Sequence, residues 1–112
     1  MDAKNNALAV HVNNHIEFID YDIIVQLKAD NNYTEIFLTN DKKIVSCHPL
    51  GYCELKLDKN IFFRCHKSHI INLRKVKKYC HDAGLYLVMA DKSIIPLARE
   101  RKKKFLKLFV LL

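Results

Sequence analysis

Short runs of alternating or β-branched apolar residues, separated by Asn, Asp and Gly, follow one another along most of the chain, and this spacing constrains the fold most strongly. Such runs are typical of strands, and the Asn and Asp pairs between them are typical of tight turns. Residues 70–73 and 76–80 predict either one irregular strand or two short ones. The other predicted strands are residues 8–12, 15–19, 23–29, 33–38, 43–47, 62–65, 85–89 and 93–96.

Two segments have helical spacing instead. Leu50, Cys53 and Leu57 lie near helical intervals, which predicts a short central helix. Residues 98–112 predict an amphipathic C-terminal helix. Its expected apolar face consists of Leu97, Phe105, Leu108, Phe109 and Leu112. We therefore expect a mainly β fold, built of small antiparallel sheets with these two helices, in a single domain spanning residues 1–112.

The charges are distributed unevenly along the chain. Residues 1–60 have a net charge of −3 and residues 61–112 a net charge of +10, within a total of +7. This asymmetry indicates that one face meets a polyanion, either nucleic acid or an anionic membrane surface. A basic surface that serves solubility alone is the alternative.

The sequence predicts a cytoplasmic location. Its apolar runs are far shorter than the roughly 20 residues of a membrane span, and the first ten residues lack a secretory apolar region. The four cysteines are expected to be reduced in that compartment.

Residues 62–73 contain the densest group of polar side chains. Two aromatic residues precede it and Ile70-Ile71 follows it, so both ends are expected to be anchored in the core. The hydrogen-bond donors of different reach between them suit contacts with phosphates and base edges. A polar turn between two strands explains the pattern equally well. The donors are Arg64, His66, Lys67, Ser68 and His69.

This block resembles the central signature of LytTR-type DNA-binding domains, approximately Phe-x-Arg-x-His-x-Ser-x-x-Val/Ile-Asn. The residues in register with it are Phe62, Arg64, His66, Ser68, Ile71 and Asn72. Further segments resemble the family in the same order, and the likeness extends from about residue 10 to residue 109. These segments are residues 22–24 with 28–34, Pro49-Leu50 with Leu55, and residues 84–99. Ala98 and Lys28 depart from the family pattern, so no target sequence is predicted.

The resemblance implies a domain that reads double-stranded DNA through loops and not through a recognition helix. It implies that Arg99 binds a guanine edge or a phosphate pair, and that Lys67 contacts a base or a phosphate. Arg64 and His66 have either a contact role or a structural role, and Ser68 is expected to cap the loop or contact one phosphate. The residues expected in a neighbouring groove are Asn31, Asn32 and Tyr33, and those expected to neutralise phosphates are Arg64, His69, Arg101 and Lys102.

The resemblance also implies partners. Proteins of this family usually join the DNA-binding domain to a receiver domain or a membrane segment, and a single domain has a small DNA interface. We therefore expect two copies on adjacent promoter repeats, with a possible dimer on DNA, and neither a small-molecule substrate nor a cofactor.

Other classes of function were weighed. Three Cys-His dipeptides begin at Cys47, Cys65 and Cys80, but a structural zinc site normally uses spaced pairs such as Cys-x2-Cys, so no metal site is predicted. Cys65, among basic neighbours, is a candidate redox-sensing thiol with a lowered pKa. No catalytic motif is present, which predicts a protein that is not an enzyme. The alternatives to DNA binding are a basic protein- or membrane-binding module and a small metal-binding domain.

Overall fold

Ten strands in three antiparallel sheets form the framework of residues 4–112, the part of the chain that our computed structural model describes. The mainly β prediction is confirmed. The first three residues of the predicted domain lie outside the described part. The strands are β1 (Ala7–Val12), β2 (His15–Asp20), β3 (Ile24–Asp30), β4 (Tyr33–Leu38), β5 (Lys43–Ser46), β6 (Phe62–His66), β7 (His69–Asn72), β8 (Val76–Cys80), β9 (Tyr86–Met89) and β10 (Ile94–Pro96).

A two-stranded hairpin opens the fold. Strands β1 and β2 are joined by the predicted Asn13-Asn14 turn, in which Asn13 has a φ of 54°. Asparagine tolerates this left-handed conformation better than most residues. Val10 and Ile19 point from the hairpin into the first core.

The central sheet has the strand order β5-β4-β3-β7-β6 and carries a core on each face. Ile24, Leu27 and Ile70 belong to the first core, whereas Val25 and Ile71 belong to the second. Ile70 and Ile71 face opposite cores because side chains alternate along a strand, and a bulge between Ile24 and Gln26 lets Ile24 and Leu27 share one face. The short helix α1 (Leu50–Lys56), as predicted from its spacing, and the first hairpin cover the first face.

A three-stranded sheet of order β10-β9-β8 closes the second core. Leu87, Met89 and Ile95 supply its buried side chains, and Phe105 of the terminal helix packs against them. Residues 70–73 and 76–80 resolve into two strands, β7 and β8, which lie in different sheets and are separated by a 3-10 turn (Leu73–Lys75).

The C-terminal helix is much shorter than predicted. After a 3-10 turn (Arg99–Arg101), helix α2 spans only Lys102–Leu106. Leu97 and Phe105 are buried, but the other members of the expected apolar face, Leu108, Phe109 and Leu112, are exposed. An apolar stripe stabilises a helix only where another element covers it, and the second core extends no further than Phe105 and Leu106.

A buried asparagine aligns the central sheet with the turn before it. The Asn72 amide donates to the carbonyl oxygens of Tyr21 and Ile24, each at 2.9 Å, and its oxygen accepts from the backbone N–H of Arg74 at 3.0 Å. These contacts fix the end of β7 against the start of β3. Within residues 4–112, no helix has both the length and the apolar character needed to cross a membrane.

Candidate nucleic-acid interface

Two tight turns lie side by side at one end of the central sheet. Residues 31–32 join β3 to β4, and residues 67–68 join β6 to β7. Because β3 and β7 pair antiparallel, with Lys28 opposite His69, both turns fall at the same end. The backbone N–H of Ala29 donates to the Ser68 carbonyl at 2.9 Å and ties the two turns together directly.

The first turn presents its side chains to solvent. Asn31 adopts a φ of 56°, and Asp30 pairs with Tyr33 across the hairpin. Asn31 and Asn32 are exposed, and Tyr33 has an exposed fraction of 52%. Two amides and a phenol therefore project from one rigid turn.

Arg64 holds the second turn from inside. Its guanidinium donates from Nε to the His66 carbonyl at 3.0 Å and from Nη2 to the Lys67 carbonyl, and it forms a 2.7 Å ion pair with Glu54 of α1. The Arg64 side chain has an exposed fraction of only 17%. Of the two roles considered for Arg64, these contacts support the structural one.

His66 also organises the second turn. Its Nδ1 atom accepts a 3.1 Å hydrogen bond from the backbone N–H of Ser68, so the ring proton of neutral His66 lies on Nε2. With the backbone held in this way, the Lys67 side chain is left exposed and the Ser68 side chain half-buried.

The segment before α2 packs against the end of edge strand β6. The backbone N–H of Ala98 donates to the Cys65 carbonyl at 2.8 Å, and Arg101 Nη1 donates to the Arg64 carbonyl at 2.9 Å. Arg99 and Lys102 are exposed there, whereas Arg101 is half-buried. The structure thus brings the Arg99 segment and both turns together at one end of the domain.

The ring of His69 is half-buried against β3 and lies within hydrogen-bond distance of Gln26. Its Nδ1 atom lies 2.8 Å from Gln26 Oε1, and burial, with smaller effects of His66 and Lys28, lowers the pKa of His69 to about 4. A neutral ring does not neutralise a phosphate. The phosphate contact of His69 stays a prediction, which this shift disfavours, and the sequence does not reveal how the ring packs against β3.

The prediction that Cys65 is a redox-sensing thiol with a lowered pKa was wrong. The side chain is fully buried, and its thiol lies 3.6 Å from the Pro96 carbonyl oxygen and 3.7 Å from that of His69. Burial raises the pKa of Cys65 to about 12, and the weaker opposing effects of Arg101 and Arg64 do not offset it. A thiol that stays protonated is a poor nucleophile.

The Cys-His pairs do not assemble into a metal centre. In the described part of the chain, no group of three or more His, Cys, Asp or Glu side chains could hold an ion. Cys65 points into the second core, while the neighbouring ring of His66 lies against that of His69, with centroids 5.5 Å apart.

Glu54, which anchors Arg64, was missed by sequence reasoning. The two residues are ten positions apart on different elements, and only the packing of α1 across the central sheet brings them into contact. A single acidic residue on a short helix is a weak signal that would not have identified its partner.

Comparisons with known proteins point to one family. The family profile described as LytTr DNA-binding domain matches residues 14–109. A solved structure, described as the LytTr DNA-binding domain of a DNA response regulator from Bacillus cereus, has a TM-score of 0.76 at 21% identity and covers 92% of this chain and 95% of that one. At this identity the likeness concerns the fold.

Two curated relatives are considerably longer than the matched region. The heme-containing CO-sensing transcriptional regulator RcoM 1 of Paraburkholderia xenovorans is 34% identical over 97 residues, which cover 84% of this chain and 36% of that protein. The sensory transduction protein LytR of Staphylococcus saprophyticus is 28% identical over 114 residues, which cover 94% of this chain and 44% of that protein. The chain therefore spans less than half the length of these relatives.

Proposed function

The chain belongs to the LytTR family of DNA-binding domains, whose function is sequence-specific DNA binding in transcription regulation, and we propose that it reads double-stranded DNA through three loops at one end of its central sheet. The loops are the turn at residues 31–32, the turn at residues 67–68 and the segment that begins at Arg99. They enter the major groove and its flanks without a recognition helix.

One observation carries this proposal: the hydrogen bonds that hold the loops involve their backbones, so the exposed side chains are available to bind DNA. Backbone hydrogen bonds and the half-buried guanidinium of Arg64 fix the loop backbones. Asn32, Lys67 and Arg99 are exposed. Side chains on such a rigid support lose little conformational entropy when they bind, which suits selective contacts with base edges.

Each exposed side chain then has a defined role. Arg99 makes bidentate hydrogen bonds to a guanine edge or a phosphate pair, and Lys67 contacts a base or a phosphate. The first turn lies in the adjacent groove with Asn31, Asn32 and Tyr33. The phosphate contacts are those of Ser68, Arg101 and Lys102, whereas the positioning residues are Arg64, His66 and His69.

The same proposal covers the assembly on DNA. We treat residues 1–112 as one DNA-binding domain that works with a receiver or another regulatory domain, because the relatives are much longer than the matched region. One such domain offers a small interface, so tight binding uses two copies on adjacent repeats, about one helical turn apart.

Selection from a randomised DNA pool tests the proposed function. The enriched duplex and its scrambled version are then titrated with the protein at several salt concentrations. A recovered motif with a clear preference over the scrambled duplex supports sequence-specific reading. Equal, salt-sensitive binding to both would instead identify a basic module whose partner is another protein or an anionic membrane.

A further inference from the structure

An ordered column of three side chains lies on the outer flank of helix α1. The His48 ring stacks on the Tyr52 ring, with centroids 4.1 Å apart and planes inclined by 20°. The ammonium nitrogen of Lys56, one helical turn further on, lies 5.5 Å from the centre of the Tyr52 ring. The column is thus a lysine held over an aromatic stack, an attractive cation–π geometry.

The column borders the first DNA-reading turn. Thr34 directly follows Tyr33, and its hydroxyl donates to the His48 carbonyl oxygen at 2.8 Å. Thr34 also pairs with Ser46 of β5, and the Ser46 hydroxyl oxygen accepts from the His48 backbone N–H at 3.3 Å. The His48 end of the column is therefore fixed to the base of the turn, and α1 carries Tyr52 and Lys56 away from it.

Packing of the core does not account for the column. Leu50 and Leu57 are the buried residues of this segment, whereas Tyr52 is 43% exposed and Lys56 is also exposed. Tyr52 and Lys56 line the rim of an open cleft of about 350 Å³, whose floor includes the core residues Leu27 and Ile36.

The acidic side chains near α1 pair with other residues, so Lys56 is left as a positive charge on this flank. Glu54 is turned toward the opposite flank, where it pairs with Arg64. Glu35 of the central sheet pairs with Lys43 at 2.6 Å. The ion pairs within the described residues do not involve Lys56, so its charge faces solvent at the rim of this cleft.

We propose that the column of His48, Tyr52 and Lys56 is a second DNA-contact surface, which binds the phosphate backbone beyond the turn at residues 31–32. The inference rests on the proposed function, because it assumes that this turn enters a groove. Lys56 donates to a phosphate oxygen, and the stack below it limits its rotamer freedom. Such a contact adds affinity and registers the protein on the duplex without reading sequence.

A pair of lysine variants tests the contact. Lys56→Gln removes the charge of the column, and Lys42→Gln removes the same charge from an exposed lysine in the turn before β5, at the opposite end of the sheet. Both variants and the native protein are titrated with the selected and scrambled duplexes between low and moderate salt. Because both side chains are exposed, neither variant should impair folding, and circular dichroism checks this.

Loss of one phosphate contact has a defined signature. We expect Lys56→Gln to lower the slope of log affinity against log salt by about 0.9 and the affinity by about fivefold at physiological salt, on both duplexes equally. Lys42→Gln should leave the slope unchanged. If Lys56→Gln behaves like Lys42→Gln, the inference is wrong, while a preserved preference for the selected duplex keeps the proposed function intact.

Neutralising single phosphates locates the contact. Methylphosphonate substitution is scanned along the backbone outside the groove that the first turn enters. Substitution at the contacted phosphate should lower the affinity of the native protein for the duplex. The same substitution should hardly change the affinity of the Lys56→Gln variant, which has already lost that contact. If both proteins lose affinity equally at every position, Lys56 contacts no single phosphate and the column does not bind the backbone.

A double variant tests the role of the aromatic stack. In the Tyr52→Leu background, Lys56→Gln should lower the DNA affinity by less than it does in the native protein. If the affinity losses of the two changes simply add, the stack does not support the contact of Lys56.

Discussion

The backbone N–H of Ala29 and the carbonyl oxygen of Ser68 form a 2.9 Å hydrogen bond between the turns that present Asn32 and Lys67. The two turns are nearly forty residues apart in sequence, yet this bond extends the β3–β7 pairing to their bases. Their side chains are therefore held at a fixed separation before any DNA is bound.

Arg99→Ala should weaken binding to the selected duplex by about 1–3 kcal/mol and relax the preference at one base position, if Arg99 is bidentate to a base. Titration of duplexes that vary at each position measures both effects. Lys103→Ala, an exposed lysine in α2, is the matched control. An equal loss on every sequence would assign Arg99 to a phosphate.

Arg64→Ala should destabilise the fold by about 1–3 kcal/mol and weaken DNA binding. The change leaves the carbonyl oxygens of His66 and Lys67 without their donor and Glu54 without its partner. Arg64→Lys should not restore stability fully, because an ammonium group cannot span three acceptors in a planar fork. Urea denaturation provides the measurement, and unchanged stability of Arg64→Ala would argue against this anchoring role.

Asn72→Ala should be among the most destabilising single changes, by at least about 2 kcal/mol, because it removes the three hydrogen bonds that the fully buried Asn72 amide makes with Tyr21, Ile24 and Arg74. The exposed Asn60→Ala is the control and should change stability by less than about 0.5 kcal/mol. Comparable effects of the two variants in denaturant titrations would refute the structural role of Asn72.

Stability should decrease as the pH falls below about 6.5, because His69 titrates differently in the two states. Its pKa is about 4 in the folded protein against 6.5 for an unperturbed histidine, so the unfolded chain binds more protons between these values. The contribution is complete above pH 6.5 and is lost as the pH falls toward 4. Denaturation at pH 7 and pH 5 should show a smaller difference for His69→Gln than for the native protein or for His11→Gln, a change at an exposed histidine.

Thiol labelling should distinguish the cysteines by burial. The exposed Cys47 should react rapidly with iodoacetamide at mildly alkaline pH, whereas Cys65 should react only as the protein unfolds, since its thiol is buried and its pKa is raised to about 12. Peptide mass spectrometry over time identifies the modified residues. Native-state modification of Cys65 at the rate of Cys47 would contradict this assignment.

Much of the fold was predictable from local patterns. Strands such as β4 and β8 have their predicted bounds, and the turn at Asn13-Asn14 lies where the sequence indicated, because side-chain alternation and turn chemistry act over only a few residues. The C-terminal helix was overestimated for the same reason. Its apolar pattern continues past Phe105, but no described element covers Leu108 and Leu112, which are exposed.

The sequence by itself determined the order of strands and turns, the family signature and the exposed residues of the three loops. Only the tertiary structure decided that Arg64 binds Glu54 and two carbonyl groups, that the ring of His69 packs beside Gln26, and that the thiol of Cys65 is buried. Charge state and partner choice depend on burial and on contacts between residues far apart in the chain. Such contacts exist only once the sheets and α1 have packed together.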